Sequence, residues 1–335
     1  MVVGVYFTNW SIYARQCVPS QLPLESITHI FYAFGKPDPA TGQITLSDEW
    51  ADIQKPMELG GSGCLGEFAI LKQKFPHLRV LLSVGGYSYT GFMNESLRSP
   101  HKRREFVRSA ARLVHKYNLD GIDLDWEYPS SYDDRSVYVD VVKQLRAILG
   151  STKDLTIAAP AGQQNLQFMD LHAMDPYITF WNVMTYDFAG GWSPHTDHQA
   201  ALYRSDQGIS VAGVINYFRQ YIDPRKIVLG IPLYGRSFAN TKGLGHSFQG
   251  SLPGRFEQGV HDAKELPLPG FSEKVDKKLG TTVCTDGRNL VSYDSKPTII
   301  QKAKFARDLG GAMFWEASGD PSDSLVRVFA HEYGR

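Results

Sequence analysis

Asp120-Gly121-Ile122-Asp123-Leu124-Asp125-Trp126-Glu127 is a segment in which acidic and apolar side chains alternate from residue 122 onward. Alternate side chains of an extended strand point to opposite faces, so the acids at 123, 125 and 127 would share one face, with successive Cα atoms about 6 to 7 Å apart. The apolar side chains would pack against helices, and the acids would face the interior of a closed sheet. Asp120 does not fit the alternation and is predicted to be structural.

The rest of the chain repeats strand-like runs between amphipathic stretches. The predicted strands span residues 2–8, 27–34, 79–85, 121–126, 155–161, 178–186, 227–234 and 311–315. Apolar side chains recur at helical spacing in the segments 100–117 and 134–149. Strands that alternate with helices over a chain of 335 residues predict an α/β protein, the (β/α)8 TIM barrel. A doubly wound open sheet is disfavoured because no GxGxxG motif follows an early strand.

The segment between the last two predicted strands is longer than a connecting helix requires. From 239 to 298 the chain is rich in Gly and Pro and carries short apolar runs at 280–284 and 290–293. We interpret 239–298 as a small α+β insertion domain. Residues 1–238 and 299–335 would then form the barrel.

Composition limits the classes of partner. The 35 basic and 35 acidic side chains give a formal net charge of zero, which offers no long-range attraction to nucleic acid or to an anionic membrane. The cysteines at 17, 64 and 284 include no CxxC pair, so a zinc site is not predicted, while a single disulfide stays open. The sequence has no run of about 20 apolar residues, so no membrane span is predicted.

Three acids on one face of a buried strand point to proton chemistry. Charge on Asp123 and Asp125 would keep the proton on Glu127 to higher pH, which suits Glu127 to act as a general acid. Glu127 also lies at the carboxyl end of its strand, where barrels of this type place their chemistry. Structural ion pairs and a magnesium or calcium site are the alternatives. The other strand ends offer mostly aromatic and small residues, with Asp187 as the exception, which disfavours a metal.

At this motif the sequence resembles the family 18 glycoside hydrolases, the chitinases. Their acidic strand follows the pattern DxxDxDxE, which residues 120–127 match. Further matches occur at strand ends in the family's order: Tyr6-Phe7-Thr8-Asn9-Trp10, Tyr32-Ala33-Phe34, Ser83-Val84-Gly85-Gly86, Met184-Thr185-Tyr186-Asp187, Tyr234-Gly235-Arg236-Ser237-Phe238 and Phe314-Trp315-Glu316. The resemblance spans the chain and implies the deep-cleft subgroup, in which the insertion forms one wall of the cleft.

The resemblance implies a retaining hydrolysis of β-1,4 linkages between N-acetylglucosamine units, in which the substrate supplies the nucleophile. Glu127 would protonate the glycosidic oxygen while the N-acetyl carbonyl attacks its own anomeric carbon and forms an oxazolinium ion. Asp125 would hold the acetamide NH, Asp123 would share a hydrogen bond or proton with Asp125, and the Tyr186 hydroxyl would steady the acetamide oxygen. The resemblance implies neither a metal nor a cofactor.

The same resemblance assigns a larger set of residues to substrate binding. They are Tyr6, Phe34, Gly86, Tyr87, Met184, Asp187, Trp192, Tyr234, Arg236 and Trp315. Trp315 would stack beneath the sugar in subsite −1, and core packing is the alternative role for each aromatic in a barrel strand. Two positions depart from the family pattern: Tyr87 stands where many members carry Trp, and His261 stands in the insertion where some relatives carry Trp.

The expected partner is chitin or chitooligosaccharides, bound by a monomer without nucleic acid or membrane. A chitin-binding lectin is the main competing function, and Glu127 argues against it because lectins of this fold have lost the proton donor. An endo-acting enzyme on the chitobiose core of N-linked glycans is a third hypothesis. Chitin-degrading enzymes are commonly secreted, while residues 1–7 show no leader, so extracellular and cytoplasmic locations both stay open.

Overall fold

The computed structural model describes residues 1–204 and 208–334. In chain order its strands are β1 (Val2–Thr8), β2 (His29–Pro37), β3 (Ile44–Leu46), β4 (Arg79–Gly85), β5 (Gly121–Asp125), β6 (Asp154–Ala159), β7 (Phe180–Val183), β8 (Ile227–Pro232), β9 (Tyr234–Phe238), β10 (Val260–Asp262), β11 (Ser272–Asp276), β12 (Thr281–Thr285), β13 (Leu290–Tyr293) and β14 (Gly311–Trp315). The α-helices are α1 (Gly63–Lys74), α2 (Thr90–Arg98), α3 (Pro100–Lys116), α4 (Tyr132–Leu149), α5 (Gln163–Leu166), α6 (Leu171–Met174), α7 (Val211–Phe218), α8 (Lys296–Phe305) and α9 (Leu325–Tyr333).

The larger sheet closes into a barrel. Its parallel strands follow the order β1-β14-β8-β7-β6-β5-β4-β2, and β1 also pairs with β2, which joins the two ends of the sheet. The short strand β3 adds antiparallel to the end of β2. Across the described residues, eight strands therefore form a closed parallel barrel, and the predicted (β/α)8 fold is confirmed.

The predicted strand limits match β1, β4 and β14 and differ elsewhere. In the predicted run 178–186, the strand is shorter than predicted and spans Phe180–Val183. The chain turns at Thr185, whose amide donates to the Val183 carbonyl at 2.8 Å and whose hydroxyl donates to the Gly230 carbonyl at 2.7 Å. This turn places Tyr186 in the loop at the carboxyl end of β7.

The two faces of β5 separate as the alternation predicts. Its apolar face is completely buried in the main core and carries Ile122, Leu124 and Trp126. The Trp126 ring centroid lies 5.2 Å from that of Tyr138 on α4, and the indole nitrogen donates to the Asn94 side chain on α2 at 2.8 Å. Complete burial of a large apolar side chain contributes about 1.5–3 kcal/mol. The apolar face therefore holds β5 against the helices and leaves the acidic face to the barrel interior.

The end of strand β4 lies very close to the end of β5, because two glycines occupy this position. Gly85 and Gly86 have φ angles of +113° and +84°, which other residues rarely adopt. A Cβ atom on Gly85 would lie 2.2 Å from the Asp125 carbonyl oxygen, and one on Gly86 would lie 2.6 Å from the Phe34 ring. The Gly86 amide donates to the Asp125 carbonyl at 2.8 Å. The double glycine thus lets this backbone bond directly to the end of the acidic strand.

Between β8 and β14, the described residues form a second, antiparallel sheet of five strands in the order β10-β9-β13-β12-β11. Strand β9 (Tyr234–Phe238) pairs with β10 and β13 in this sheet, whereas the sequence analysis placed residues 1–238 in the barrel. The barrel strand β8 ends at Pro232, but the apolar run continues through the buried Leu233. The sequence pattern therefore does not indicate that the chain passes from one sheet to the other at this point. We propose that the insertion begins at Tyr234 rather than at residue 239.

The cysteines and the helices bear on the predicted absence of a membrane span and on the disulfide that the sequence left open. Cys17, Cys64 and Cys284 are free thiols, so the disulfide that the sequence left open is not formed. In the described part of the chain, no helix is both long enough and apolar enough to cross a membrane. The short 3-10 helix Ala263–Glu265 supplies helical structure to the segment between β10 and β11.

A buried ion pair joins the small sheet to the barrel. Asp294 directly follows β13, and its Oδ2 accepts a hydrogen bond from Lys302 Nζ on α8 at 2.5 Å. The Thr298 hydroxyl donates to the other oxygen of Asp294 at 2.8 Å. The side chains of Lys302 and Asp294 are 0% and 2% exposed, so loss of either charge would leave the other buried without its partner.

Lys302→Met should lower the free energy of unfolding by about 3–5 kcal/mol, because the Asp294 charge would stay buried without its partner. The double variant Lys302→Met/Asp294→Asn should recover a large part of this loss. Urea denaturation measures both effects. Arg327→Gln is the matched control, because Arg327 pairs with Glu25 at 2.6 Å on the surface and should contribute less than about 1 kcal/mol. Equal losses in Lys302→Met and Arg327→Gln would contradict this account.

Candidate active site

The acidic face of β5 leads to the carboxyl end of the barrel, and Asp123 is completely buried on it. Its Oδ2 accepts hydrogen bonds from the hydroxyls of Tyr6 at 2.8 Å and Ser83 at 2.7 Å. Its Oδ1 accepts from the Thr156 hydroxyl at 2.6 Å and from the Asn182 amide at 3.3 Å. Burial raises the pKa of Asp123, and these hydrogen bonds oppose the rise because they stabilise the charged form.

The donors to Asp123 come from neighbouring strands in register. Ser83 on β4 and Thr156 on β6 pair directly with Asp123, and Asn182 lies on β7. Of these donors, only Tyr6 is assigned to the site from the sequence; Ser83 appears there as part of a matching motif without a role, and Thr156 and Asn182 are not predicted. Each of these donors is a polar residue at an inward-facing position of an otherwise apolar strand. This pattern indicates a partner of Asp123 only when the strands are aligned around the barrel.

Asp125 and Glu127 form a coupled pair of carboxyl groups whose side chains share a hydrogen bond. Burial raises the pKa of both groups, and the charges of Glu127 and Asp123 raise the pKa of Asp125 further. The hydrogen bond between the two side chains raises the pKa of Asp125 and lowers that of Glu127. Such a pair retains one proton at a pH where two separate carboxyls would both be ionised.

One oxygen of Asp125 is buried without a hydrogen-bond donor from the part of the chain that the structure describes. Asp125 is buried, and within the described residues its Oδ1 has no hydrogen-bond partner. An unpaired acceptor in a buried site costs about 1–3 kcal/mol. A ligand that brings an N–H group to this oxygen would remove that cost, so Asp125 is suited to bind an amide.

The pKa of Glu127 is raised mainly by burial. The charge of Asp187 raises it further, while hydrogen bonds from Tyr128 and Asp125 lower it. The sequence predicts that charge on the β5 aspartates raises the pKa of Glu127, whereas in the structure burial is the largest cause and the hydrogen bond with Asp125 lowers this pKa. Tyr128 was not predicted, although it directly follows the glutamate in the chain.

Tyr186 and Asp187 follow the turn that ends β7. Burial raises the pKa of the Tyr186 hydroxyl well above its usual range, and nearby ionisable groups that include Asp125 and Glu127 raise it further. The hydroxyl therefore stays protonated and can donate a hydrogen bond near the carboxyl pair. The Tyr186 ring lies 6.4 Å from the ring of Tyr234.

Asp187 connects the barrel loop to the small sheet. Its Oδ1 accepts hydrogen bonds from the Tyr234 hydroxyl at 2.7 Å and from Arg236 Nε at 2.9 Å, and its Oδ2 accepts from an Arg236 terminal nitrogen at 2.8 Å. The paired geometry matches the planar guanidinium to the carboxylate. The Arg236 guanidinium also lies 4.9 Å from the Trp192 ring. The structure thus brings together four of the predicted binding residues at one side of the barrel mouth.

Aromatic rings line the centre of the barrel mouth. The Trp315 ring is stacked 5.8 Å from Phe34 and lies 5.3 Å from Tyr6, and Met184 packs against the same cluster. Gly86 leaves room for this cluster, because a Cβ atom at its position would lie 2.6 Å from the Phe34 ring. The half-buried Trp315 ring is therefore held in place by the rings packed against it, and its accessible surface can stack against the apolar face of a ligand ring.

Tyr87 and Trp192 are the most exposed of the predicted binding residues. Tyr87 is 80% exposed and follows Gly86, and Trp192 is 62% exposed beside Arg236. Large apolar rings in this position carry little packing energy in the unliganded protein. They are available to contact a ligand that extends beyond the carboxyl pair.

The carboxylate oxygens of Asp123 and Asp187 are engaged by protein donors. Asp187, the exception among the strand ends, accepts hydrogen bonds on both oxygens from Tyr234 and Arg236. Both oxygens of Asp123 accept hydrogen bonds as well. In residues 1–204 and 208–334, no group of three or more His, Cys, Asp or Glu side chains is placed to hold a metal ion.

Comparisons with known proteins identify the family and agree with the barrel fold. The model of the glycosyl hydrolases family 18 matches residues 2–320. Chitinase 1 of Aphanocladium album is 34% identical over 352 residues, which cover 96% of this chain and 83% of the relative. The structure of chitinase ChiA74 from Bacillus thuringiensis superimposes with a TM-score of 0.92 at 25% identity, covering 98% of this chain and 69% of that one.

A further solved structure holds an oligosaccharide. The Group II chitinase catalytic domain 2 of Ostrinia furnacalis, as the E2180L mutant in complex with (NAG)5, superimposes with a TM-score of 0.90 at 25% identity. The alignment covers 99% of this chain and 96% of that one. The family match extends over nearly all of the sequence and includes the carboxyl pair, the barrel and the small sheet. The chain therefore belongs to the glycosyl hydrolases of family 18.

Proposed function

We propose that the protein hydrolyses β-1,4 linkages between N-acetylglucosamine units of chitin, with retention of configuration and with the substrate's own acetamide as nucleophile. The observation that carries this proposal is the pair of buried, hydrogen-bonded carboxyl groups of Asp125 and Glu127, whose pKa values burial raises, together with Asp125 Oδ1, which has no hydrogen-bond donor among the described residues. Membership of family 18 and the chitinases among its relatives support the same substrate.

Glu127 acts as general acid and then as general base. Because burial and Asp187 raise its pKa, the carboxyl group can accept the proton of the pair and deliver it to the glycosidic oxygen. Departure of the leaving group is coupled to attack by the acetamide oxygen on the anomeric carbon. Glu127, now ionised, takes a proton from the water that opens the oxazolinium ion, and the β-anomer is released.

Asp125 binds the acetamide through its free oxygen. When the acetamide NH donates to Asp125, the buried acceptor gains a partner, and the positive charge that develops on the oxazolinium ion favours ionised Asp125. The proton that Asp125 holds in the unliganded protein is thereby released toward Glu127. The transfer uses the hydrogen bond already present between the two side chains.

Asp123 and Tyr186 support this exchange from two sides. Asp123 is held rigidly by donors from the surrounding strands, and its charge raises the pKa of Asp125, so it keeps the proton within the pair until substrate binds. The protonated Tyr186 hydroxyl donates to the acetamide oxygen and aligns it with the anomeric carbon. Trp315 stacks beneath the sugar that carries this acetamide.

Glu127→Gln should lower kcat on chitin hexamer by at least about 10²- to 10⁴-fold, because the amide cannot donate or accept the catalytic proton. Binding of the hexamer should persist, since the residues that contact the sugars are unchanged. Steady-state rates and calorimetric titration of the same variant measure the two quantities. Turnover that stays at the wild-type level would overturn the role of Glu127. Wild-type protein that binds the hexamer without cleaving it would instead favour a chitin-binding lectin.

Substrate assistance requires the acetamide, so glucosamine hexamer, which lacks the acetyl groups, should not be cleaved. Anomer-resolved chromatography of the first products from chitin hexamer should show the β-anomer. The N-acetylated and deacetylated oligomers have the same length and linkage and so form a matched pair. An initial α-anomer would rule out retention, and equal cleavage of both oligomers would rule out substrate assistance.

Asp187→Asn should move the alkaline limb of the kcat/KM profile to lower pH. The Asp187 charge raises the pKa of Glu127, and the protonated acid is lost as pH rises through that pKa, so removing the charge brings the loss to lower pH. Glu257→Gln is the control, because Glu257 lies 3.9 Å from Arg236 but is 66% exposed. An alkaline limb that stays in place in Asp187→Asn, or that moves equally in both variants, would refute the assigned influence.

A further inference from the structure

One face of the small sheet carries both the ligand-binding residues and a second ion pair. In the antiparallel pair of β9 and β10, Arg236 lies opposite Val260 and Tyr234 lies opposite Asp262. Directly opposed residues point to the same side, and so do residues two positions apart on one strand. Tyr234, Arg236 and Asp262 therefore share the face of the sheet that is turned toward Asp187 and the barrel mouth.

His261 lies on the other face of this sheet. It pairs with Gly235, where a Cβ atom would lie 2.7 Å from Val291 and 2.8 Å from Leu266. The His261 side chain is buried on that apolar side. The departure from the family at this position therefore falls behind the sheet, and Asp262 is the β10 residue that faces the mouth.

Asp262 is bound by Arg15, which lies in the loop that follows β1. One terminal guanidinium nitrogen of Arg15 lies 2.7 Å from each carboxylate oxygen of Asp262. The same nitrogen is 3.7 Å from Glu316, and the guanidinium carbon lies 4.2 Å from the centroid of the Phe256 ring. The side chains of Arg15, Asp262 and Glu316 are 15%, 5% and 11% exposed, so the contacts are largely shielded from water.

Arg15 thus meets the chain segment that carries Trp315. Glu316 directly follows Trp315, and the Ser318 amide donates to Glu316 at 3.0 Å. The Leu233 amide, at the start of the insertion, donates to the Trp315 carbonyl at 2.7 Å, and the Ala263 amide next to Asp262 donates to the Leu233 carbonyl at 2.9 Å. The barrel floor and the small sheet are therefore connected by short hydrogen bonds around one guanidinium group.

We propose that Arg15 is a positioning residue for the sugar-binding cleft, which sets the small sheet at a fixed distance from Trp315. This inference rests on the proposed function. Arg236–Asp187 ties strand β9 to the loop after β7, and Arg15–Asp262 ties the neighbouring edge strand β10 to the loop after β1. With both ion pairs in place, the wall of the cleft cannot tilt away from the floor.

Arginine is required because the guanidinium contacts several groups at once. Its planar group bonds Asp262, lies within reach of Glu316 and covers the Phe256 ring. Lysine offers one ammonium group and would keep the charge while losing the extended planar contact. A substrate that occupies more of the wall depends more on this geometry, so the effect of Arg15 should grow with oligomer length.

Arg15→Gln should lower kcat/KM for chitin hexamer by about tenfold, mainly through KM, and for chitin trimer by less than about threefold. Arg15→Lys should lie between wild type and Arg15→Gln. Amide hydrogen exchange should become faster in residues 234–238 and 260–262 of Arg15→Gln. Arg327→Gln, which removes the exposed pair with Glu25, is the control and should change neither quantity by more than about twofold.

If Arg15→Gln fails to fold, Arg15→Gln/Asp262→Asn replaces it, because this variant leaves no unpaired charge at Asp262. Equal losses on hexamer and trimer, or exchange in residues 234–262 that stays at the wild-type rate, would overturn the proposal. Wild-type protein that does not cleave the hexamer would instead refute the proposed function. In that case the exchange data alone decide on Arg15: faster exchange supports its positioning role, and unchanged exchange rejects it.

Discussion

The placement of carboxyl groups inside a closed barrel is the constraint on which the rest of the site depends. A buried carboxylate is tolerated where hydrogen-bond donors surround it. Asp123 meets this condition through Ser83 and Thr156 from the adjacent strands, together with Tyr6 and Asn182. Because these donors engage both oxygens of Asp123, the shared proton is left to Asp125 and Glu127, whose pKa values burial raises.

The sequence predicted much of the barrel because strand periodicity and helix periodicity are local properties. The alternation in residues 120–127 correctly separated the acidic face from the apolar face, and three strands were placed with their observed limits. The residues assigned to the site by family resemblance lie together at the barrel mouth. Their hydrogen-bond partners could not be predicted, since Ser83 and Thr156 gain meaning only when their strands are paired in register with Asp123.

The boundary of the insertion shows a second limit of sequence reasoning. Residues 227–234 form one apolar run, yet Leu233 leaves the barrel ladder and Tyr234 begins a strand of the small sheet. Leu233 is buried, as it would also be if the barrel strand continued through it. Hydropathy therefore cannot reveal that the chain changes its partner strand here. The same holds for Arg15 and Asp262, which are separated by 247 positions in the chain and meet only through the packing of the small sheet on the barrel.

The site therefore separates into two parts with different physical bases. Protonation is governed inside the barrel, where low exposure and fixed donors decide which carboxyl holds the proton. The width of the groove is governed outside it, by arginine–aspartate pairs between the barrel loops and the small sheet. In the proposed mechanism the acetamide belongs to the first part, because its NH supplies the partner that Asp125 lacks. Recognition of the acetamide and movement of the proton are then one event, while the groove determines how many further sugars are bound.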